Sequence, residues 1–311
     1  MKKKWIVLGG ALGLSSIVMV ATGIGAMASA SGYDAYKSAL KTTKSLQNVT
    51  IQASAALQDN AKALANASGE FKVDTSNDSA SGHADFTVNG AQQSVSFYKQ
   101  AKQTVLKAGY SDVYYVEQEG KGKRDKAENP ADAQFSAQIE TVIDALVGNL
   151  KDYVAVNPQT DGSKEISLQL TNPQIPAVVN AIAPIVIKEV TKQEHDGEQN
   201  DDQEKGQLPF KEDIFKDALP QLTQDIKIEQ VTVKAKLNTT NYIEHQEADL
   251  TVSGKDDGGT VHQVTLHVQA DLSKYNSTTP DTIDLTGKTV QTLAKHGHGH
   301  GHNEDSESTE N

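Results

Sequence analysis

The run TVHQVTLHVQADL alternates without a break. Val264, Leu266, Val268, Ala270 and Leu272 share one parity, and Gln263, Thr265, His267, Gln269 and Asp271 the other. Successive side chains of a strand point to opposite faces, so this run predicts a long strand with one apolar and one polar side. The same period recurs in NVTIQASAAL, where Val49, Ile51, Ala53, Ala55 and Leu57 line up. It recurs again in GEFKVD, HADFTVNG, QSVSFYK, QTVLKAG, DVYYVEQ, KEISLQL, IKIEQVTVKAKL and YIEHQEADLTVSG. One-sided alternation is the mark of antiparallel sheets that cover a core with one face. Asn89-Gly90 is the sharpest turn between these runs, since a two-residue hairpin loop needs positive φ at both positions.

Helical spacing appears in four places. Tyr33, Tyr36, Leu40 and Thr43 predict an amphipathic helix over Tyr33–Leu46. Asn129-Pro130 provides a cap and a first-turn proline for a helix whose stripe is Phe135, Ile139, Val142, Ile143, Leu146 and Leu150. Asn172-Pro173 repeats the cap before QIPAVVNAIAPIVIKEV, a stretch that Pro176 and Pro184 are expected to kink or divide. It is apolar nearly all round and is expected to be buried on more than one side. A short helix is predicted over Phe210–Leu222. EGKGKRDKAENP reads as a charged linker, and the acidic, aperiodic segment 191–207 as a disordered loop. Val49-Thr50-Ile51-Gln52-Ala53 set beside Val231-Thr232-Val233-Lys234-Ala235 suggests two copies of a helix-then-meander unit. Such a repeat favours one antiparallel sheet drawn from both halves, with helices over it.

The N-terminus sets the compartment. Three lysines precede a long uncharged apolar run that ends in the small residues Ala28 and Ala30. This is the pattern of a secretory signal peptide over 1–30, with cleavage after Ala30. The run is also long enough to span a bilayer, so an uncleaved N-terminal anchor is the alternative. Lysines ahead of the apolar run place the remainder outside the cell in either case. Removing Lys2, Lys3 and Lys4 takes the net charge from −12 to −15, and Arg124 is the only arginine. Nucleic-acid binding is excluded on that balance, because phosphate contacts need clustered basic groups. With no cysteine in the chain there is no disulfide, no thiolate metal site and no lipidated cysteine. Trp5, Met1, Met19 and Met27 all lie in the leader, so the exported part lacks tryptophan and methionine.

The order of elements (helix, long meander, helices, meander) resembles the LolA-like superfamily of extracytoplasmic lipoprotein carriers and lipid-binding proteins. The closing run ADLSKYNSTTPDTIDLTGK is similar to C-terminal strands in secreted members of Gram-positive type. The likeness covers Tyr33 to Lys288. It implies an α+β fold: a curved antiparallel sheet, or half-barrel, with helices on its concave face. It also implies a single domain over 31–290 and a hydrophobic or envelope-derived ligand.

Chemistry is sparse. The chain has neither a G-x-S-x-G elbow nor an H-E-x-x-H zinc helix, so it is not expected to be an enzyme or to need a cofactor. An EF-hand loop counted from Asp196 puts Asp201 where glycine is needed and Gln207 where glutamate is needed. If the KDDGG turn pairs Gly254 with Thr260, Glu247 stands opposite His267, with His245 on the same face. Cross-strand neighbours have Cβ atoms about 5 Å apart, close enough to share a metal, although exposed strand histidines are the plainer reading. The C-terminal segment 291–311 is expected to be a disordered His-rich and acidic tail. Its histidines, His296, His298, His300 and His302, alternate with glycine, and imidazole nitrogens suit Zn, Ni or Cu. Three functions follow in order: an extracytoplasmic binding module for a hydrophobic ligand, metal capture through the tail, or a structural or sensory envelope protein that binds another protein.

Overall fold

The computed structural model describes residues 32–100, 102–118, 153–191 and 219–293. The expected leader over 1–30, the expected linker after β6, the stripe from Phe135 to Leu150, segment 192–218 and the four tail histidines lie outside the described residues. So does the acidic loop, except for Thr191.

The alternating runs form one twelve-stranded sheet. In chain order the strands are β1 (Asn48–Asp59), β2 (Lys62–Asp74), β3 (Ser79–Val88), β4 (Ala91–Gln100), β5 (Gln103–Ala108) and β6 (Val113–Gln118). They continue as β7 (Ala155–Pro158), β8 (Lys164–Thr171), β9 (Gln224–Leu237), β10 (Ile243–Lys255), β11 (Val261–Ser273) and β12 (Thr289–Thr292). The spatial order is β12-β6-β5-β4-β3-β2-β1-β11-β10-β9-β8-β7, an unclosed, curved sheet. Two meanders, β1–β6 and β7–β11, join where β1 pairs with β11. Every pairing is antiparallel except β12 against β6. A two-residue loop at Asn89-Gly90 closes β3–β4, with φ of 49° and 85° as type I′ geometry requires. Asn60-Ala61 closes β1–β2 in the same way, with φ of 49° and 64°. Ala61 lacks the glycine that normally marks such a turn, so this one left no sequence signal.

Two helices lie on the apolar side. α1 (Gly32–Lys44) buries Ala39 and Leu40 against Ile166, Ala235, Leu237 and Ile243. α2 (Ala177–Thr191) sets Val179 and Ala183 on Leu168, Leu170 and Ile228, with Ile187 alongside. Asn172–Gln174 forms a single 3-10 turn rather than the start of the helix, which begins only after Pro176. Pro184 sits inside α2 without ending it, and Ile185 faces solvent. The division expected at the two prolines therefore falls at Pro176 alone, and among the described residues the stripe Val179–Ala183–Ile187 packs on the sheet. Leu219–Leu222, the described end of the helix expected over Phe210–Leu222, is not helical.

After β11 the chain crosses the other side of the first meander. Thr50, Lys72, Ser81, Tyr98, Val105 and Val116 form one row across β1 to β6. Residues 274–288 lie over that row. Thr278 meets Thr50, Asp281 meets Lys72 and Ser81, and Ile283 and Leu285 pack on Tyr98, Val105 and Val116. The side chain of Gln100 brackets the backbone of Ile283, accepting at 2.9 Å and donating at 2.7 Å. This crossing delivers β12 to the outer edge of β6, and Leu293 then packs near Phe97 and Leu106. The first residues of the expected tail thus belong to the sheet.

Candidate functional site

The apolar side of the sheet is continuous over seven strands. One row reads Leu170, Val231, Leu250, Leu266, Leu57, Ala65, Val88 from β8 to β3. The next reads Leu168, Val233, Ala248, Val268, Ala55, Ala67, Phe86 along the same strands. Neither contains a polar side chain. The two described helices cover the β8–β10 end, where Leu170 is fully buried. Toward the middle, Leu250 is half-buried, and Leu266 keeps 38% of its surface exposed although it projects from the apolar side. Side chains on β1 and β2 are small here: Ala53, Ala55, Ala65, Ala67 and Gly69. Polar groups on this side are few. The phenol of Tyr36 donates to Gln246 Oε1 at 2.8 Å, and burial pushes its pKa above the ordinary value.

The opposite side is polar and carries His83, His245 and His267. The β10–β11 register differs from the expected one by two residues: Gly254 pairs with His262, Glu247 with Gln269, and Asp249 with His267. The turn holds three residues between Asp256 and Thr260, closed by the Asp256 N–H on the Thr260 carbonyl at 3.1 Å and by Gly259 at φ 79°. The shorter loop assumed from KDDGG is therefore wrong. An even slip keeps every side chain on its face.

His245, Glu247 and His267 do share the polar face, and His245 Nε2 comes within 3.7 Å of Glu247 Oε2, but each also has a nearer partner and His267 stands apart. His245 Nδ1 lies 2.7 Å from Asp271, Glu247 accepts from Lys234 at 2.7 Å, and His267 Nδ1 lies 2.7 Å from Asp249. Four residues of strand separate the two imidazole rows, roughly 13 Å at the usual rise. One ion cannot bridge them. Among the described residues no group of three or more His, Asp or Glu side chains is arranged to hold a metal. The hydrogen bond from Lys234 holds the Glu247 carboxyl below the usual range. Burial opposes the charge on Asp271, yet hydrogen bonds from His245 and Gln269 bring its pKa below the ordinary value.

Ser96, His83 and Asp85 stand in the order of nucleophile, base and orienting acid. Ser96 Oγ lies 3.0 Å from His83 Nδ1, and His83 Nε2 lies 3.3 Å from Asp85. Around Ser96 the strand is paired on both sides, with His83 of β3 and Lys107 of β5, so its neighbouring amides are engaged in ladders rather than gathered as an oxyanion hole. All three groups lie on an open sheet, with His83 and Asp85 well exposed.

No protein-family model matches the chain. No curated protein matches it. Among the solved structures that match, three illustrate how loose the superposition is. Lipovitellin, in a structure concerned with lipid–protein interactions, matches 76% of this chain at 7% identity with a TM-score of 0.28. This chain spans only 26% of that one. A DUF1329 family protein from Desulfovibrio piger covers 79% of this chain and 92% of its own at 10% identity, with a TM-score of 0.20. The ywiB protein of Bacillus subtilis covers 73% and 92% at 6% identity, with a TM-score of 0.15. Likeness this loose identifies no relative, and the functional reading rests on the sheet.

Proposed function

We propose that the chain is a non-enzymatic, extracytoplasmic binding module that takes a hydrophobic ligand on the apolar side of its sheet. The carrying observation is the pair of uninterrupted apolar rows, with Leu266 exposed in their midst. In this reading the apolar side is the concave side of a LolA-like half-barrel, α1 and α2 line it, and small residues on β1 and β2 leave room for an acyl chain. Burying apolar surface is worth roughly 25 cal/mol per Å², so one chain laid along these rows supplies useful affinity with few polar contacts. The apolar N-terminal run supports export, by cleavage after Ala30 or as an anchor.

Native mass spectrometry of protein from its own envelope would weigh a retained ligand directly. A second arm uses the fluorescent probe 1-N-phenylnaphthylamine with wild type and Leu266→Asp. Leu266 is 38% exposed, so the variant is first checked by its thermal midpoint, and in the folded variant probe binding should fall at least tenfold. Unchanged probe binding in a folded variant would sink the assignment to this face.

A second reading is favoured by the alternating His296, His298, His300 and His302: capture of Zn, Ni or Cu by the tail, with the sheet as its carrier.

A further inference from the structure

One ionisable cluster lies apart from the ligand rows and the tail, at the end of the seam between the two meanders. There His262 of β11 stands between two carboxylates. Its Nδ1 lies 2.8 Å from Asp59 Oδ2 on β1, and its Nε2 lies 3.4 Å from Asp256 Oδ2 in the β10–β11 turn. The imidazole and the Asp59 side chain are both largely buried, and Asp59 Oδ1 is enclosed without a hydrogen-bond partner. The surrounding backbone is fastened tightly. Asn60 N–H donates to the Gln263 carbonyl at 3.0 Å, Gln263 N–H donates to Asn60 Oδ1 at 3.1 Å, and Asn60 Nδ2 reaches the Val261 carbonyl at 3.2 Å.

A neutral imidazole has one N–H and one lone pair, whereas an imidazolium has two N–H donors. With a carboxylate at each nitrogen, the neutral ring satisfies one acid and turns a lone pair on the other. We propose that His262 is a proton-dependent clasp, joining the end of β1 to the β10–β11 turn as an imidazolium and releasing Asp256 when it loses its proton. Asp256 is the partner released, because its link is the longer and its carboxylate the more exposed. It also keeps a backbone donor, the Thr260 N–H at 2.7 Å. Asp59 has no other donor among the described residues.

The electrostatics agree with the geometry. Burial works against charge on His262, but hydrogen bonds and charge from Asp59 and Asp256 outweigh it and raise the pKa. Among the described residues these two carboxylates are the charged groups that act on the ring; Lys255, beside it on β10, is turned to Asp225 at 2.6 Å. A raised folded pKa gives stability that is complete below the ordinary histidine value of about 6.5 and is lost as pH climbs through the folded value. The clasp therefore holds at mildly acidic pH and opens toward alkaline pH. It borders the apolar side, two residues from Val264, but it does not depend on what that side binds.

The test follows histidine ring resonances of the full chain by NMR from pH 5 to 9 in wild type, Asp59→Asn and Asp256→Asn, with His262→Gln for assignment. Thermal midpoints of wild type and His262→Gln are measured over the same range. The expected result is a His262 midpoint above 6.5 that falls in both aspartate variants. The stability gap between wild type and His262→Gln should be widest below pH 6 and narrow by pH 8.5. A His262 titrating at or below 6.5, and indifferent to both aspartates, overturns the clasp; so do parallel stability profiles. Should His262→Gln fail to fold, the wild-type and Asp256→Asn titrations decide alone, since Asp256 lies in an exposed turn.

Discussion

The hydroxyl of Thr50 lies 2.9 Å from that of Thr278, and both residues are buried, at 2% and 5% exposure. Thr278 also lies 3.0 Å from the Lys274 carbonyl, which can only accept. Its single proton goes there, so Thr50 must be the donor within the pair. That order makes the two threonines unequal. Thr278→Val strands the buried Thr50 proton, while the Lys274 carbonyl keeps the Ser277 N–H at 3.0 Å, and should cost about 1–3 kcal/mol, the range for a buried group left unpaired. Thr50→Val removes only one donor and should cost about 1 kcal/mol or less. Urea unfolding of both variants checks the ranking. Equal losses would refute the proton assignment.

Gly82 of β3 is required by the rings beside it. A Cβ there would stand 2.5 Å from Phe97 and 2.6 Å from Phe71, whose centroids are 6.2 Å apart in a stacked pair. Gly82→Ala should cost about 1–3 kcal/mol by overpacking, although alanine normally suits a strand better than glycine. Pairing it with Phe97→Leu should recover part of the loss. Additive losses in the double variant would place the strain elsewhere.

Asp74 ends β2 and gathers four donors: Ser76 N–H and Oγ, Asn77 N–H and Nδ2. The Ser76 hydroxyl contributes most, and with the other donors it outweighs burial and holds the carboxyl below its usual pKa. A depressed folded pKa gives stability that is present above the unfolded value of about 3.9 and is lost as pH falls through the folded one. Asp74→Asn should lose about 1–3 kcal/mol near neutral pH, with the gap to wild type closing at the acid end. A constant gap from pH 7 to pH 2 would show that the effect is not ionic.

How much of this was legible in the sequence follows from which forces are local. Alternation along β11 fixes which side is apolar, so Leu266 and His267 could be assigned to opposite faces from parity alone. The partner of each could not, because register depends on turn length. KDDGG admits both a tighter loop and the three-residue loop closed by Asp256 and Thr260, and the difference moves Glu247 from His267 to Gln269. The seam was less legible still. Asp59 and His262 are 203 residues apart, and nothing in either neighbourhood announces the other. The crossing over β1 to β6 was hidden for the same reason: Thr278, Asp281 and Ile283 carry no period, and their partners lie on six different strands. Of the two prolines expected to kink or divide that stretch, Pro176 precedes the helix and Pro184 lies within it, where packing through Val179 and Ala183 keeps α2 continuous.

The tail yields the last expectation. His296, His298, His300 and His302 follow a strand that ends at Thr292, with glycines between them. Fixing a glycine-spaced chain around an ion costs entropy, about 1–2 kcal/mol per residue fixed, so the tail expected from the sequence should bind more weakly than a preformed site. Neutral imidazole is the ligand, and its ordinary pKa is about 6.5. Binding of Ni(II), Cu(II) or Zn(II) should therefore weaken as pH drops through 6, with protons competing for each nitrogen. Nearby Glu304, Asp305 and Glu307 favour cation approach. Calorimetric titration of the full chain and of a chain ending at Lys295, at pH 7.5 and 5.5, separates the outcomes. The full chain should bind at pH 7.5, more weakly at pH 5.5, and the shortened chain at neither. Equal binding by both chains would transfer the site to the sheet, where His245 and His267 are each already paired with a carboxylate and would have to give it up.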